Sequence, residues 1–583
     1  MSSIGAYGDS RSELSKLAPW VKERLALCLN EHETQCRRKE LNSTAFQNGK
    51  LILVDVVDAC LVELNPHPDY IALSYCWGQV PQLYLSAENE GRLFQPGALS
   101  SVRELIPRTI RDAMDLVALI GQRFLWVDAL SIRQEDADMK HDQISQMGHV
   151  YSNALMTIMA VAGDDASHGL SVASKESTLS LDFAWHDAAR FLSEKLHRTK
   201  HFGRGWTYQE TVLSKRCLYL TSEFGMFLCR SYFQIYLEAD RPYVSAFLRP
   251  NPIPSLLGDG SDSMIIFEIY AEAVKDYTSR NLTYPSDILE AFSGVSSALS
   301  ELQGWKLVEG LPSRMLTLAL LWGQSSNTPS YARRPGSFPS WSWAGWIGTA
   351  TYADSALSYT HPPGSSWAGW IGSDTDTYDI PIKSNLFISM VDHYEEWRTG
   401  TLRLLDPEQP QGNYWRGKEV LKAHISKSQT IASILAHHQK WPAFSSEQFV
   451  SPKNTQVFLI FSTMVVDSLD PYSFIMTSSH RTSITHGSSS EVCGELHGNH
   501  SFEEEVQLSS GTTISTSTDT HLHASRFKLI GILVAPHKEY DQIDVHFLLV
   551  KDCGHYVERI TLGHVSLSAW DAAKPQLQLV ILG

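Results

Sequence analysis

Between Tyr70 and Leu228 the chain alternates buried-strand and helix patterns, and that alternation leaves few architectures open. Tyr70-Ile71-Ala72-Leu73-Ser74-Tyr75 is a short apolar run ending at Cys76-Trp77-Gly78, as expected of a buried strand that opens into a loop. Pro107 to Ile120 carries apolar residues at Ile110, Ala113, Met114, Val117 and Ile120, with Gly121 just beyond, which predicts a helix. Phe124 to Asp128 is a second buried strand, so the unit is strand, helix, strand, joined to a parallel partner. Asp136 to Tyr151 and Leu155 to Val161 repeat the pattern as helix and strand. Arg216 to Leu220 and Phe224 to Leu228 add two more strands. The expected fold class is α/β, an open doubly wound and largely parallel sheet. Ligands of such sheets bind beyond the carboxyl ends of the strands, where the topology reverses.

Before the last two strands, Gly203 to Glu210 reads Gly-Arg-Gly-Trp-Thr-Tyr-Gln-Glu. Trp206 and Glu210 are four residues apart, so a helix would present both on one face. An aromatic ring beside a carboxylate suits a nucleoside. The same spacing also suits an amphipathic helix with Trp206 in the core and Glu210 in a surface ion pair. Ser74, Tyr75, Trp77, Asp128 and the Trp206 to Glu210 helix are candidates for one ligand-binding edge. For Trp77 and Trp206 a place in the core stays open, and for Asp128 a loop cap.

With 583 residues the chain exceeds one core, and two or three domains are expected. A formal net charge of −16 argues against non-specific nucleic-acid binding and against attraction to an anionic membrane. The eight cysteines show no paired framework, as expected of a reduced intracellular protein. Neither a signal peptide nor a membrane span is expected, so the predicted location is cytoplasmic. The expected division is an N-terminal helical segment (1–49), the α/β domain (50–235), a helical extension (236–350) and a β-rich C-terminal region (351–583). Within the last, 477–525 is rich in Ser, Thr, His and Gly and is expected to be a flexible insertion.

The residues reach a known family in four successive stretches. These are Tyr70 to Gly78, Leu125 to Gln134, Met147 with Tyr151 to Ala154, and Arg204 to Glu210. In that order they resemble the boxes of the fungal heterokaryon incompatibility (HET) domain. Tyr277 to Leu289, Leu320-Leu321-Trp322 and Pro339 to Trp343 resemble the region that usually follows it. Ser131 stands where many relatives carry cysteine, which argues against a required thiol nucleophile there. The resemblance implies a role in fungal non-self recognition and programmed cell death, with self-association on activation and a protein trigger of unknown identity.

The strand order and the Trp206 to Glu210 spacing also look like the Toll/interleukin-receptor (TIR) domain. This similarity implies a TIR/flavodoxin-like core and, from its enzymatic members, hydrolysis of NAD at the nicotinamide-ribose bond, with NAD as substrate and no other cofactor. Cleavage of that bond passes through an oxocarbenium-like centre, which a carboxylate held against the ribose stabilises. Glu210 is the expected catalytic group. Trp206 or Trp77 would stack on a base and Arg204 would pair with the pyrophosphate, with Ser74, Tyr75 and Asp128 lining the pocket. A non-catalytic assembly module using the same face is the alternative.

No metal site is expected. Cys28, His32 and Cys36 recur on one helical face, but three ligands from a single straight helix span too much length for a tetrahedral ion, and packing explains them. The histidines at 480, 486, 497, 500, 521 and 523 have no fixed ligand spacing. Trp343 to Gly348 recurs as Trp367 to Gly372, too briefly for a repeat architecture.

Overall fold

The computed structural model describes residues 10–32, 36, 50–65, 68–135, 143–144, 146–170, 195–236, 245–247, 263–325, 332–336, 338–352, 388–389, 391, 394–398, 401–405, 457–467, 472–476, 482–486, 492–497, 527–536 and 543–583. Helix α1 (Ser10–Glu31) buries Leu14, Leu17, Val21, Leu25 and Cys28. That is the stripe its periodicity predicts, and it packs on helix α2 (Arg108–Leu119) and on the sheet.

The main sheet has nine strands. They are β1 (Leu51–Asp55), β2 (Cys60–Leu64), β3 (Ile71–Ser74), β4 (Phe124–Trp126), β5 (Met156–Ala160), β6 (Arg216–Leu220), β7 (Gly225–Cys229), β8 (Tyr232–Tyr236) and β9 (Ser245–Phe247). Their spatial order is β2-β1-β4-β3-β5-β6-β7-β8-β9. The four central strands β4, β3, β5 and β6 run parallel. Antiparallel ribbons flank them on both sides, because the turns at 56–59, 221–224 and 230–231 are too short for a crossover. The parallel character therefore belongs to the centre of a mixed sheet. From β3 the chain crosses to β4 on one side, and from β5 to β6 on the other. The topology thus reverses at the carboxyl ends of β3 and β5.

Helix α3 (Asp128–Ser131) follows β4 directly, and α4 (Met147–Asn153) precedes β5. Of the helix expected over Asp136 to Tyr151, residues 143–144 are helical and α4 begins at Met147; residues 136–142 and 145 lie outside the described residues. Helix α5 (Thr207–Leu213) leads into β6. In the extension, α6 (Ser263–Thr278) is followed by two 3-10 turns, Pro285–Ile288 and Glu290–Phe292, and then by α7 (Ser293–Gln303). The Ser286 hydroxyl donates to Asp287 (3.1 Å).

The helices α4 and α7 cross at glycines. A Cβ on Gly148 would lie 2.6 Å from the Gly294 Cα, so nothing larger fits without parting the helices.

The C-terminal strands form a separate eleven-stranded sheet. Val457–Val466, Phe527–Pro536, Ile543–Asp552, Val557–Ser566 and Gln576–Leu582 pair in a cycle that returns to its first strand, which removes their free edges. The expectation of a flexible insertion is corrected in part, because Thr482–His486 and Val492–His497 are paired strands of this sheet. Polar in composition, they still turn Ile484 and Leu496 inward at the period of two that a half-buried strand requires. The echo at Trp367 lies outside the described residues.

One hydrophobic core joins α5, the extension and the C-terminal sheet, running from Tyr208 through Trp343 to Leu582. Arg559 ties them further. Its guanidinium donates to the Leu320 (2.7 Å) and Trp322 carbonyls and lies 4.0 Å from the Trp322 ring centroid.

Candidate active site

Ser74 is the last residue of β3, at the reversal of the sheet, and is buried. Its hydroxyl donates to the Glu210 carboxylate and lies 2.7 Å from His201 Nε2. Glu210 comes from the first turn of α5 and is only 6% exposed. The local chain fixes that helix tightly. The Thr207 hydroxyl donates to the His201 (2.7 Å) and Arg204 (2.8 Å) carbonyls. Gly205 N–H donates to Asn281 O and Asn281 N–H to Gly203 O, both at 2.7 Å. A Cβ at Gly205 would meet Leu282 Cδ2 at 2.5 Å, so this glycine serves a close approach to the extension.

Desolvation dominates the electrostatics. Burial raises the Glu210 carboxyl to about 7, against the opposing pull of Arg204 and of the Ser74 hydroxyl. The Tyr151 hydroxyl, which donates to the Leu73 carbonyl at 3.2 Å, also bears on this carboxyl. Burial lowers His201 to about 3, assisted by the charges of Arg204 and Arg280, so its imidazole is neutral at pH 7. His201 Nδ1 is buried without a hydrogen-bond partner among the described residues. The carboxylate thus bonds the serine and not the far imidazole nitrogen. A Ser-His-Asp relay has the opposite arrangement.

Asp128 begins α3 just past the carboxyl end of β4. Its carboxylate accepts from the Trp77 indole (2.7 Å) and from Ala129 N–H (2.7 Å). Burial raises its proton affinity, and these donors offset part of the rise. Burial and the Asp128 charge push the Tyr75 phenol well above its ordinary value. Arg204 donates to the Tyr75 carbonyl, with the charges of Glu210 and Asp128 both close enough to act on it.

The fold therefore brings Ser74, Tyr75, Trp77, Asp128, Arg204 and Glu210 to one edge. Trp206 is placed differently. It precedes α5, packs between two hydrophobic cores, and its indole donates to Asp287 at 3.4 Å. His201 and Tyr151 join the group without having been singled out by the sequence. Tyr151 lay within a quoted family box, while His201 sits in a polar connection with no informative spacing.

A separate open cleft of about 770 Å³ lies elsewhere, lined among others by Ser293, Ser297, Ser300, Lys306, Arg398 and Arg403. Among the described residues, the group able to hold a metal ion is Cys28, His32, Cys36 and Cys229. No described helix is long and apolar enough to cross a membrane.

The family model of heterokaryon incompatibility protein (HET) matches residues 70–210. The chain is also similar to heterokaryon incompatibility protein 6, OR allele, of Neurospora crassa, with 28% identity over 149 residues. That alignment covers 23% of this chain and 22% of the Neurospora protein. No solved structure matches the chain at a significant level.

Proposed function

We propose, for a chain that carries a heterokaryon incompatibility domain over residues 70–210, that it is an effector of fungal non-self recognition and programmed cell death, acting by hydrolysis of NAD at the nicotinamide-ribose bond. The family role rests on the domain match and on the Neurospora relative. The reaction rests on one observation. Glu210 is a buried carboxyl, raised to about 7, at the sheet edge where the topology reverses, with Arg204 and Asp128 beside it.

In the proposed step the C1′–N bond breaks and its electron pair leaves with nicotinamide. Water adds to C1′ and loses a proton, giving ADP-ribose, nicotinamide and one proton. Ionised Glu210 stabilises the positive charge that develops on the ribose, as carboxylates do in glycoside cleavage. Arg204 supplies a guanidinium for the pyrophosphate, and Trp77, held by Asp128, a ring for a base. Ser74 positions the carboxylate and favours its charged form. Neutral His201 donates its Nε2–H to the Ser74 oxygen, whose own proton goes to Glu210, without adding charge.

The second reading is a non-catalytic module that kills through assembly. The 6% exposure of Glu210 favours it, because a carboxylate already bonded to Ser74 offers a ribose little surface. Nicotinamide release from NAD by the purified protein, alone and with forced clustering, separates the two readings. Loss of release in both Glu210→Ala and Glu210→Gln, with folding intact, supports the hydrolase. Absence of release in either state, together with cell toxicity that survives Glu210→Ala, overturns it in favour of assembly.

A further inference from the structure

On one straight helix Cys28, His32 and Cys36 span too much length to wrap a tetrahedral ion. The helix is not continuous through these residues. Helix α1 ends at Glu31, and His32 sits at a bend. Single helical hydrogen bonds persist around it, from His32 N–H to Cys28 O (3.2 Å) and from Cys36 N–H to His32 O (2.8 Å). A fourth ligand arrives from Cys229, the last residue of β7. The donor atoms of Cys28, His32, Cys36 and Cys229 all lie within 4.8 Å of one another. A tetrahedral zinc with bonds of about 2.3 Å to sulfur and about 2.0 Å to nitrogen needs edges of roughly 3.5–3.8 Å. The Cys229 Sγ to His32 Nδ1 separation is already 3.8 Å.

The surroundings point the same way. Arg216 Nε donates to Cys28 Sγ at 3.1 Å, and Ser231 N–H donates to Cys229 Sγ at 3.4 Å. The Ser231 hydroxyl lies 3.7 Å from Cys36 Sγ. Donors aimed at each sulfur are the outer shell that thiolate ligands require. Cys28, Cys36 and Cys229 are at most 2% exposed, and Arg216 is 5% exposed. A buried guanidinium needs a compensating negative charge. A zinc ion with three thiolates and a neutral imidazole carries a net charge of −1, and the guanidinium groups of Arg216 and Arg230 both lie close enough to offset it. Three cysteines cannot all be satisfied by one disulfide, and all are free thiols.

We propose that Cys28, His32, Cys36 and Cys229 form a structural zinc site that fastens the end of α1 to the β7 edge of the main sheet. Four protein ligands leave no open position, so the site is structural and not hydrolytic. Thiolate and imidazole donors select zinc over harder divalent ions.

The test uses the full chain, purified with thiols reduced after exposure to zinc. Elemental analysis should give about one zinc per chain. X-ray absorption at the zinc edge should give a first shell of three sulfurs at about 2.3 Å and one nitrogen at about 2.0 Å. Cys229→Ser should lower the zinc content at least about tenfold under a competing chelator, in line with the loss of one first-shell ligand. Cys553→Ser, at an exposed and distant thiol, should leave it unchanged. Chelation should speed amide exchange over residues 14–31 in the wild-type protein. A reduced, folded protein that takes up no zinc overturns the proposal, as does a first shell without three sulfurs. Should Cys229→Ser not fold, the absorption spectrum of the wild type decides.

Discussion

Glu210→Gln removes a charge and keeps a shape, and its effect on stability follows from the burial of the carboxyl. In the folded protein Glu210 is raised from 4.5 to about 7. The folded state therefore holds this proton more tightly than the unfolded chain does. The resulting stabilisation is complete below pH 4.5 and is lost as the pH rises through 7. From pH 5 to pH 8.5 the loss is about 2–3 kcal/mol, at about 1.4 kcal/mol for each pKa unit. Glutamine has no proton to lose and can still accept from Ser74. The variant should therefore gain about 2–3 kcal/mol over wild type between these two pH values, whatever its constant offset. For the cooperative unit containing the sheet, that corresponds to a differential rise in melting temperature of roughly 4–12 °C. Thermal unfolding of both proteins at pH 5, 6, 7 and 8.5 measures it. If the two curves run parallel across this range, the carboxyl is not desolvated as described and the reasoning fails.

Further expectations concern the same edge and its support. Ser74→Ala deletes a hydrogen bond to a charged group, worth about 1.5–3 kcal/mol, and should move the Glu210 midpoint upward by about one to two units. Isotope-edited infrared titration of the carboxyl reads this directly, the acid limb of nicotinamide release, which follows ionisation of Glu210, should shift the same way, and an unmoved midpoint refutes it. Gly148→Ala puts a Cβ 2.6 Å from the Gly294 Cα, where backbone meets backbone, and should cost about 1–3 kcal/mol. A melting temperature equal to wild type would show that the helix crossing is looser than described.

Much of the parallel centre was legible because its signals are local. Ile71 to Ser74, Met156 to Ala160 and Arg216 to Leu220 are short, mostly apolar runs, and punctuation by Pro107 and Gly121 brackets α2. Ser74 ends β3 and Asp128 begins α3, so chain order places both at the carboxyl-end edge, and α5 brings Glu210 to it. Trp206, the helical-angled residue just before α5, packs between two hydrophobic cores, the place in the core that its spacing also allows.

The sequence by itself determined the strands, the carboxyl-end edge and the residue types that reach it, because apolar periodicity and chain order are properties of neighbouring residues. Only the tertiary structure decided which distant groups meet. His201 reaches Ser74 across 127 positions, and Cys229 reaches His32 across 197. It also raised the proton affinity of Glu210. The proton affinity of a carboxyl depends on how much water the packed elements exclude, and no local pattern encodes that exclusion.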